Sequence, residues 1–405
     1  MGNFPPRPIG SLTSLRGFLA LWVVFYHFWK DILALFPGLE LLTPLARQGH
    51  FAVPVFFMLS GFVLAYNYSR ELAVPGIRNY LQFLLMRLAR IYPVHLFTLL
   101  VVLGMVVVCR VRDWRLTDAG YGAGDFVLNL FLAQTWVPNF QLSWNYPSWS
   151  ISSEWFAYLC FPLFCPIMLG RITTRVRAYA FLALCGGTII GLYVLGNEVP
   201  FHGLIQVIPT FLAGMAIFAS QVYISRPPYN ANRSIPRTRN VNSLPTPHWL
   251  LTLVYSPDSF LLLLAAIPLL FSGPVMVALL LPGYMVLVYW LASQRNECSR
   301  FWTNRCAVYL GEISYSLYMA HTLAQKVCYK LLPAGQFSAA TLAVRSGVLL
   351  VYVMGIAVFV LGTYYLIEKP SRRGLRRLFN RRGAFKNPIQ QPFVPVPIPE
   401  VKIPA

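Results

Sequence analysis

Long apolar runs recur along this chain of 405 residues and constrain its fold more than any other feature. A helix needs about 20 mostly apolar residues to cross a bilayer. Ten runs of this kind lie at residues 12–30, 51–68, 80–108, 148–169, 178–196, 203–222, 250–271, 275–293, 307–331 and 342–367. Because backbone polar groups in lipid need partners within the protein, runs of this length are helices. The sequence therefore predicts an all-α, polytopic transmembrane helix bundle of about ten spans.

The composition supports a single membrane domain. Charged residues make up 11% of the chain and hydrophobic residues 57%, whereas soluble domains are about 25% charged. No polar stretch between the apolar runs is long enough to fold separately. We therefore expect one transmembrane domain over residues 1–370, with a flexible loop at about 223–248, followed by a basic and then Pro-rich tail over residues 371–405.

The arginines predict the orientation of the bundle in the membrane. The net charge is +20, and the cationic residues concentrate in short loops and in the tail rather than on one soluble surface. Cytoplasmic loops of membrane proteins are enriched in Lys and Arg, so both termini and the loop 223–248 are expected in the cytoplasm. We expect contact with anionic lipids of a cell membrane, plasma or inner, rather than with nucleic acid. Arg110, Arg112 and Arg115 conflict with this rule, because the ten-span order places them on the external side of the membrane.

Three other features bear on the number of spans and on metal or disulfide sites. The apolar piece Phe126–Val137 is about half a bilayer long as a helix, so it is expected to be re-entrant or superficial rather than a span. The first run carries Arg16 and His27 and precedes no small-residue cleavage site, so we interpret it as a retained span. The seven cysteines are scattered without a C-x-x-C pair, which predicts neither a disulfide framework nor a metal site.

Ionisable residues inside apolar spans are costly to bury, by at least about 2.5–3.5 kcal/mol, and therefore mark candidate sites. His27 follows Arg16 by eleven residues in the first span. At 100° per residue, the two side chains share one helix face about 16 Å apart along the axis. Either residue alone has a structural explanation, but the aligned pair favours a functional role.

Two further arginines, Arg87 and Arg90, lie near the expected cytoplasmic end of the third span. Their spacing of three residues makes the guanidinium groups neighbours on one face, which suits phosphate binding. The simpler explanation is anchoring of the helix at the cytoplasmic surface. The sequence leaves both open.

Glu154 opens the fourth span among Trp and Ser residues, with Ser150 as a supporting candidate. A carboxylate in the first turn is favoured by the helix dipole, yet it can also orient a histidine or the acceptor. In the ninth span, Ser314 and Tyr318 share a face, and His321 is a further supporting candidate. Helix–helix hydrogen bonding is the simpler role for these last residues.

Six motifs in order resemble the membrane acyltransferases of acyltransferase family 3. They are Arg16 to His27, Phe56 to Phe62 (FFMLSGF), Arg87-x-x-Arg90, Pro147 to Trp155 (PSWSISSEW), Ile313 to His321 (ISYSLYMAH) and Glu368-Lys-Pro370. Each motif is short, but the six together run over nearly the whole chain. The resemblance implies ten core spans and an acyl-CoA co-substrate, expected to be acetyl-CoA, that is reached from the cytoplasm, with no bound cofactor. It also implies O-acylation of a hydroxyl on a glycan, lipid or smaller acceptor.

Carried over by position, the resemblance makes His27 the catalytic histidine, with Arg16, Arg87 and Arg90 on the donor path. Neutral His27 then acts as a general base, because its ordinary pKa of about 6.5 lies near working pH. We expect Glu154 to hold His27 or the acceptor. A rival mechanism first forms an acyl-His27 intermediate. A rival class is a transporter of an anionic solute that uses the same Arg and His residues, while a structural scaffold leaves the aligned pair unexplained.

Overall fold

The computed structural model describes residues 9–69, 72, 76–114, 121–138, 142–172, 174–195, 202–224, 257–293 and 300–381. All regular structure in these ranges is helical, as the apolar runs predict. The helices are α1 (Ile9–Leu35), α2 (Thr43–Arg47), α3 (Ala52–Tyr68), α4 (Ile77–Val111), α5 (Ala123–Leu130), α6 (Ser148–Arg171), α7 (Arg175–Leu195), α8 (His202–Ile224), α9 (Pro257–Leu270), α10 (Gly273–Ser293), α11 (Arg300–Thr303), α12 (Arg305–Glu312), α13 (Ser314–Leu331), α14 (Leu342–Gly362) and α15 (Lys369–Arg381).

Within these ranges, eight helical stretches are long and apolar enough to cross a membrane, which makes this a multi-pass bundle. The other two predicted spans differ from expectation. The run 250–271 appears as the 14-residue helix α9, and residues before 257 lie outside the described ranges. The run 307–331 is two helices, because α12 ends at Glu312 and α13 begins at Ser314. Polar residues inside α13 lower its hydropathy, and protein rather than lipid surrounds them: Ser314, Ser316, His321 and Thr322 are all buried.

The segment Phe126–Val137 is not a span. It forms the end of the eight-residue helix α5 and a short 3₁₀ turn at Gln134–Trp136. Its polar side chains are buried against α6. The Gln134 amide donates to the Ser148 carbonyl over 3.0 Å, and the hydroxyl of Ser148 donates to the Asn129 side chain over 3.1 Å. These bonds satisfy polar groups that a membrane span would leave unpaired.

Two glycine contacts bring helix backbones together. A Cβ atom on Gly61 of α3 would collide with the Phe211 carbonyl of α8, and one on Gly214 of α8 would collide with the Met58 carbonyl of α3. The second contact joins α1 to α12, where a Cβ on Gly17 would lie 2.7 Å from the backbone nitrogen of Gly311. Small residues of this kind are how membrane helices approach closely, since lipid supplies no hydrophobic drive between them.

The two ends of the bundle are held by different contacts. At one end, the Ser14 hydroxyl donates to the Trp302 carbonyl over 2.8 Å. The buried Glu368 accepts there from Ser316 over 2.6 Å and from Arg372 over 3.2 Å. At the other end, Arg345 donates to the Leu35 carbonyl over 3.0 Å. The first end carries the basic C-terminal helix, as the cytoplasmic end is expected to.

The C-terminal boundary predicted at residue 370 falls inside continuous helix. The last span runs from α14 through a π-helical turn at Thr363–Glu368 directly into α15. The tail beyond residue 381 and the loop 225–256 lie outside the described residues, so the expected flexibility of both stays a prediction.

The α3–α8 contact gives a first test, Gly214→Ala. The added methyl group meets backbone that cannot rotate away, and overpacking of this kind costs about 1–3 kcal/mol. We expect a lower thermal midpoint in detergent. The control is Gly191→Ala on α7, where an added Cβ meets nothing within 4 Å. Equal midpoints for the two variants would show that the close approach is not a stability determinant.

The orientation is tested by labelling single engineered cysteines with a membrane-impermeant maleimide. Ala339 and Arg373 are both exposed and lie at opposite ends of the bundle. By the distribution of arginines, Ala339→Cys should react in intact cells and Arg373→Cys only after permeabilisation. The parent chain, with its exposed Cys306, sets the background. The reverse pattern would invert the topology.

Candidate functional site

Seven of the nine predicted site residues line one cavity. It lies between α1, α3, α4, α6 and α13. The predicted residues in its wall are Arg16, Arg87, Arg90, Ser150, Glu154, Ser314 and Tyr318. The shared face of Ser314 and Tyr318 therefore opens into a site rather than into a plain helix contact. His27 and His321 are the two that stand outside this wall.

The cavity carries an excess of positive charge. Three guanidinium groups, those of Arg16, Arg87 and Arg90, face it together with one carboxylate, that of Glu154. Among the described residues, no Asp or Glu oxygen lies within 4.0 Å of any of these three arginines. Buried arginines are normally paired, so the cavity is suited to a ligand that brings its own negative charge.

Arg87 is held by Tyr68 rather than by an acid. Its guanidinium donates to the Tyr68 hydroxyl over 2.6 Å and lies 4.8 Å from the centroid of that ring. Its buried Nε has no hydrogen-bond partner in the described structure. Tyr68 thus fixes the side chain while leaving donor capacity toward the cavity, a geometry that fits a phosphate group.

Glu154 does not reach His27. Its carboxylate accepts from the hydroxyl of Tyr158, one turn along α6, over 2.6 Å. The same hydroxyl lies 3.2 Å from that of Ser60 on α3. We expected Glu154 to hold His27, but the described structure has no hydrogen bond between these two residues. Instead, α6 turns Glu154 toward the arginine cavity. A role in holding the acceptor stays a prediction.

One end of the cavity leads toward the histidines. There the hydroxyl groups of Tyr318 and Ser150 are 2.8 Å apart. The ring centroid of Tyr318 is 6.1 Å from that of His321, and the ring centroids of His321 and His27 are 4.9 Å apart. The two histidines come from α1 and α13, helices whose contact the sequence pattern does not indicate.

The two imidazoles differ in environment. His27 is half-buried, with Tyr146 at 5.3 Å between ring centroids. His321 is fully buried, and its Nδ1 lies 3.2 Å from the Leu317 carbonyl oxygen. That bond requires the proton on Nδ1, which leaves Nε2 of neutral His321 as an acceptor. This Nε2 has no partner in the described structure.

A second polar pair, which the sequence did not lead us to predict, lies at this level. The side-chain amide of Gln325 on α13 donates to the His27 carbonyl over 2.7 Å and to the Asp31 carboxylate over 3.2 Å. Asp31 is 8% exposed. Its position four residues after His27 was the available signal, since that spacing returns to the same helix face. Within the described residues, no three His, Cys, Asp or Glu side chains converge to hold a metal ion.

Comparisons with known proteins identify an acyltransferase domain in this chain. A family model described as an acyltransferase domain matches residues 9–368. Acyltransferase MdmB of Streptomyces mycarofaciens is 37% identical over 166 residues, which are 39% of this chain and 40% of that protein. This alignment thus spans about two fifths of that relative.

The alignments to two other relatives cover most of the length of those proteins. Protein ORF330 of Acidianus two-tailed virus, which bears the provisional name acetyltransferase, is 27% identical over 336 residues, 80% of this chain and 84% of that protein. Protein 2 in the picA locus of Rhizobium radiobacter is 30% identical over 173 residues, 38% of this chain and 81% of that protein. No solved structure matches the chain.

Proposed function

Because the chain belongs to the acyltransferase domain family, we propose that this multi-pass membrane acyltransferase moves an acyl group from acyl-CoA to an acceptor hydroxyl. Acetyl is the expected group, and a glycan or lipid of the cell membrane the expected acceptor. The observation that carries the proposal is the cavity in which Arg16, Arg87 and Arg90 lack a carboxylate partner in the described structure.

The arginines account for the donor. CoA carries several phosphate groups, and these supply the negative charge that the cavity lacks. Arg87 and Arg90 are three residues apart on α4 and present neighbouring guanidinium groups. Arg16 adds a third from α1. With the phosphates held here, the long arm of CoA extends along α1 past Tyr318 toward the histidines, since His27 lies about 16 Å beyond Arg16 along the helix axis.

His27 supplies the base. It takes the proton of the acceptor hydroxyl as the oxygen attacks the thioester carbonyl carbon. The carbon–sulfur bond then breaks, and the CoA thiolate leaves with the proton that His27 returns. The ring is half-buried and stands outside the cavity wall, so in this proposal the acceptor approaches it from the side away from the donor. Transfer through an acyl-His27 intermediate uses the same residue as nucleophile.

The donor site is tested by Arg87→Ala and Arg90→Ala. A lost charge-assisted phosphate contact is worth about 1.5–3 kcal/mol, so KM for acetyl-CoA should rise roughly tenfold to a hundredfold. The assay follows CoA release by purified protein supplied with a lipid and glycan extract of the source cells.

Two control variants accompany this test. Arg78→Ala removes an exposed arginine from the same helix and should leave KM unchanged. Tyr68→Phe removes the hydroxyl that holds Arg87 without removing charge. An unchanged donor KM together with a lower protein level in the arginine variants would make the pair an anchor only.

The base is tested by His27→Ala, which should lower single-turnover transfer by about 10²–10⁴-fold while acetyl-CoA binding persists. The comparison variant is His95→Ala. His95 is fully buried and bonds the Asn129 carbonyl oxygen over 2.8 Å, so its loss should lower stability instead. Transfer by His27→Ala within a few-fold of the parent would remove the proposed mechanism. A parent that binds acetyl-CoA without turnover would favour the transporter.

A further inference from the structure

We propose that Asp31 is the carboxylate partner of His27, a positioning residue that balances the charge formed when His27 takes up a proton. The inference rests on the proposed acyl transfer and assigns to Asp31 the role that the sequence suggested for Glu154.

Two pairs of side chains, one on α1 and one on α13, face each other, and we call this arrangement the ladder. His27 and Asp31 are four residues apart on α1, and His321 and Gln325 are four residues apart on α13, so each pair shares a face. The histidine rings meet at 4.9 Å between centroids. One turn further along, the Gln325 amide bonds both the His27 carbonyl and the Asp31 carboxylate. Gln325 thus fixes Asp31 and the backbone of His27 in one arrangement.

Asp31 has no cation of its own in the described structure. It is 8% exposed, and no Lys, Arg or His nitrogen there lies within 4.0 Å of its carboxylate. A lone acid in an apolar span is costly and is retained where it serves a function. The single amide hydrogen bond leaves lone pairs of the carboxylate unsatisfied. The charge that would satisfy this acid is absent until a neighbouring base is protonated.

The reaction supplies that charge. When His27 accepts the acceptor's hydroxyl proton, an imidazolium forms in a half-buried place where an uncompensated cation is unfavourable. The proton stays on His27 until the CoA thiolate takes it, and Asp31 remains ionised throughout. His321 cannot balance the charge, because an imidazole ring carries no negative charge and its Nδ1 is held by the Leu317 carbonyl. Glu154 is bound to Tyr158 inside the cavity.

Other titratable groups face this ladder and enter the design of the test. They are Tyr26 and Tyr146 beside His27, His321 from α13, His50 beside Tyr26, Lys30 next to Asp31 on α1, and Cys328 and Tyr352 near Asp31 from α13 and α14. None of these is an acid of the Asp or Glu type, so removing the charge of Asp31 isolates the proposed interaction.

The test measures how fast diethyl pyrocarbonate modifies His27 in the purified full chain, read by mass spectrometry of the His27 peptide. The reagent attacks neutral imidazole only. Asp31→Asn keeps an acceptor for Gln325 but removes the charge that favours the imidazolium. At a pH one unit below the point where the parent's rate has halved, His27 should therefore react up to about tenfold faster in this variant than in the parent. Asp31→Glu, which restores the charge, should return the rate to within about twofold of the parent.

Matched variants make the result decisive. Glu40→Gln removes an exposed acid from the same face of the membrane and should leave the modification rate unchanged. Should Asp31→Asn fail to fold, Asp31→Ser gives the same neutral comparison. An unchanged rate in the neutral variant would overturn the proposal. So would an increase caused by Glu154→Gln but not by Asp31→Asn, which would make Glu154 the partner.

Turnover separates this inference from the proposed function. With acetyl-CoA and the cell extract as substrates, Asp31→Asn should lower kcat by at least about tenfold, with KM for acetyl-CoA within about twofold of the parent. A residue that only supports folding would change both together with the thermal midpoint. Absence of turnover in the parent protein would contradict the proposed function. The modification assay needs no acyl transfer, so its result would still test the Asp31–His27 interaction.

Discussion

The site depends on the close contact between Gly17 of α1 and Gly311 of α12. Side chains at either position would hold the two backbones apart. Because α13 begins immediately after α12, this contact also sets where α13 lies against α1. Arg16 is thereby turned into the cavity opposite Ser314, and His27, three turns further along α1, comes to lie beside His321. Apolar side chains gain little free energy by moving from lipid into a helix contact. Close backbone packing at small residues therefore stabilises helix pairs in a membrane.

Charge is arranged in two layers along α1. Among the described residues, the layer around Arg16 collects guanidinium groups without acids in contact, while the layer around His27 holds two imidazoles and one buried acid. The hydroxyl pair of Tyr318 and Ser150 lies at the end of the first layer nearest the second. A donor with phosphates at one end and a thioester at the other complements this order of charges. The first layer lacks negative charge, and the proposed acyl-CoA donor would supply it.

The sequence predicted what depends on local periodicity. The apolar runs became helices, and the short piece at Phe126–Val137 did not become a span. The sequence did not predict which helix faces are in contact. The pairing of His27 with His321 depends on how α13 rotates after the break at Ile313, and the turn of Glu154 toward Tyr158 depends on the rotation of α6. Asp31 was overlooked because it follows the apolar run and resembles an interfacial charge.

The length of α4 has a consequence for the membrane itself. At 35 residues, this helix is about 52 Å long, whereas the hydrocarbon core is about 30 Å thick. The excess length of the helix extends into water or is accommodated by tilt of the helix. Arg110, which the loop charges left on the unexpected side, donates to the Tyr121 carbonyl over 3.2 Å. A bilayer of different thickness therefore changes the tilt and protrusion of α4, while hydrophobic mismatch leaves Arg87 and Arg90, in its third and fourth turns, within the protein.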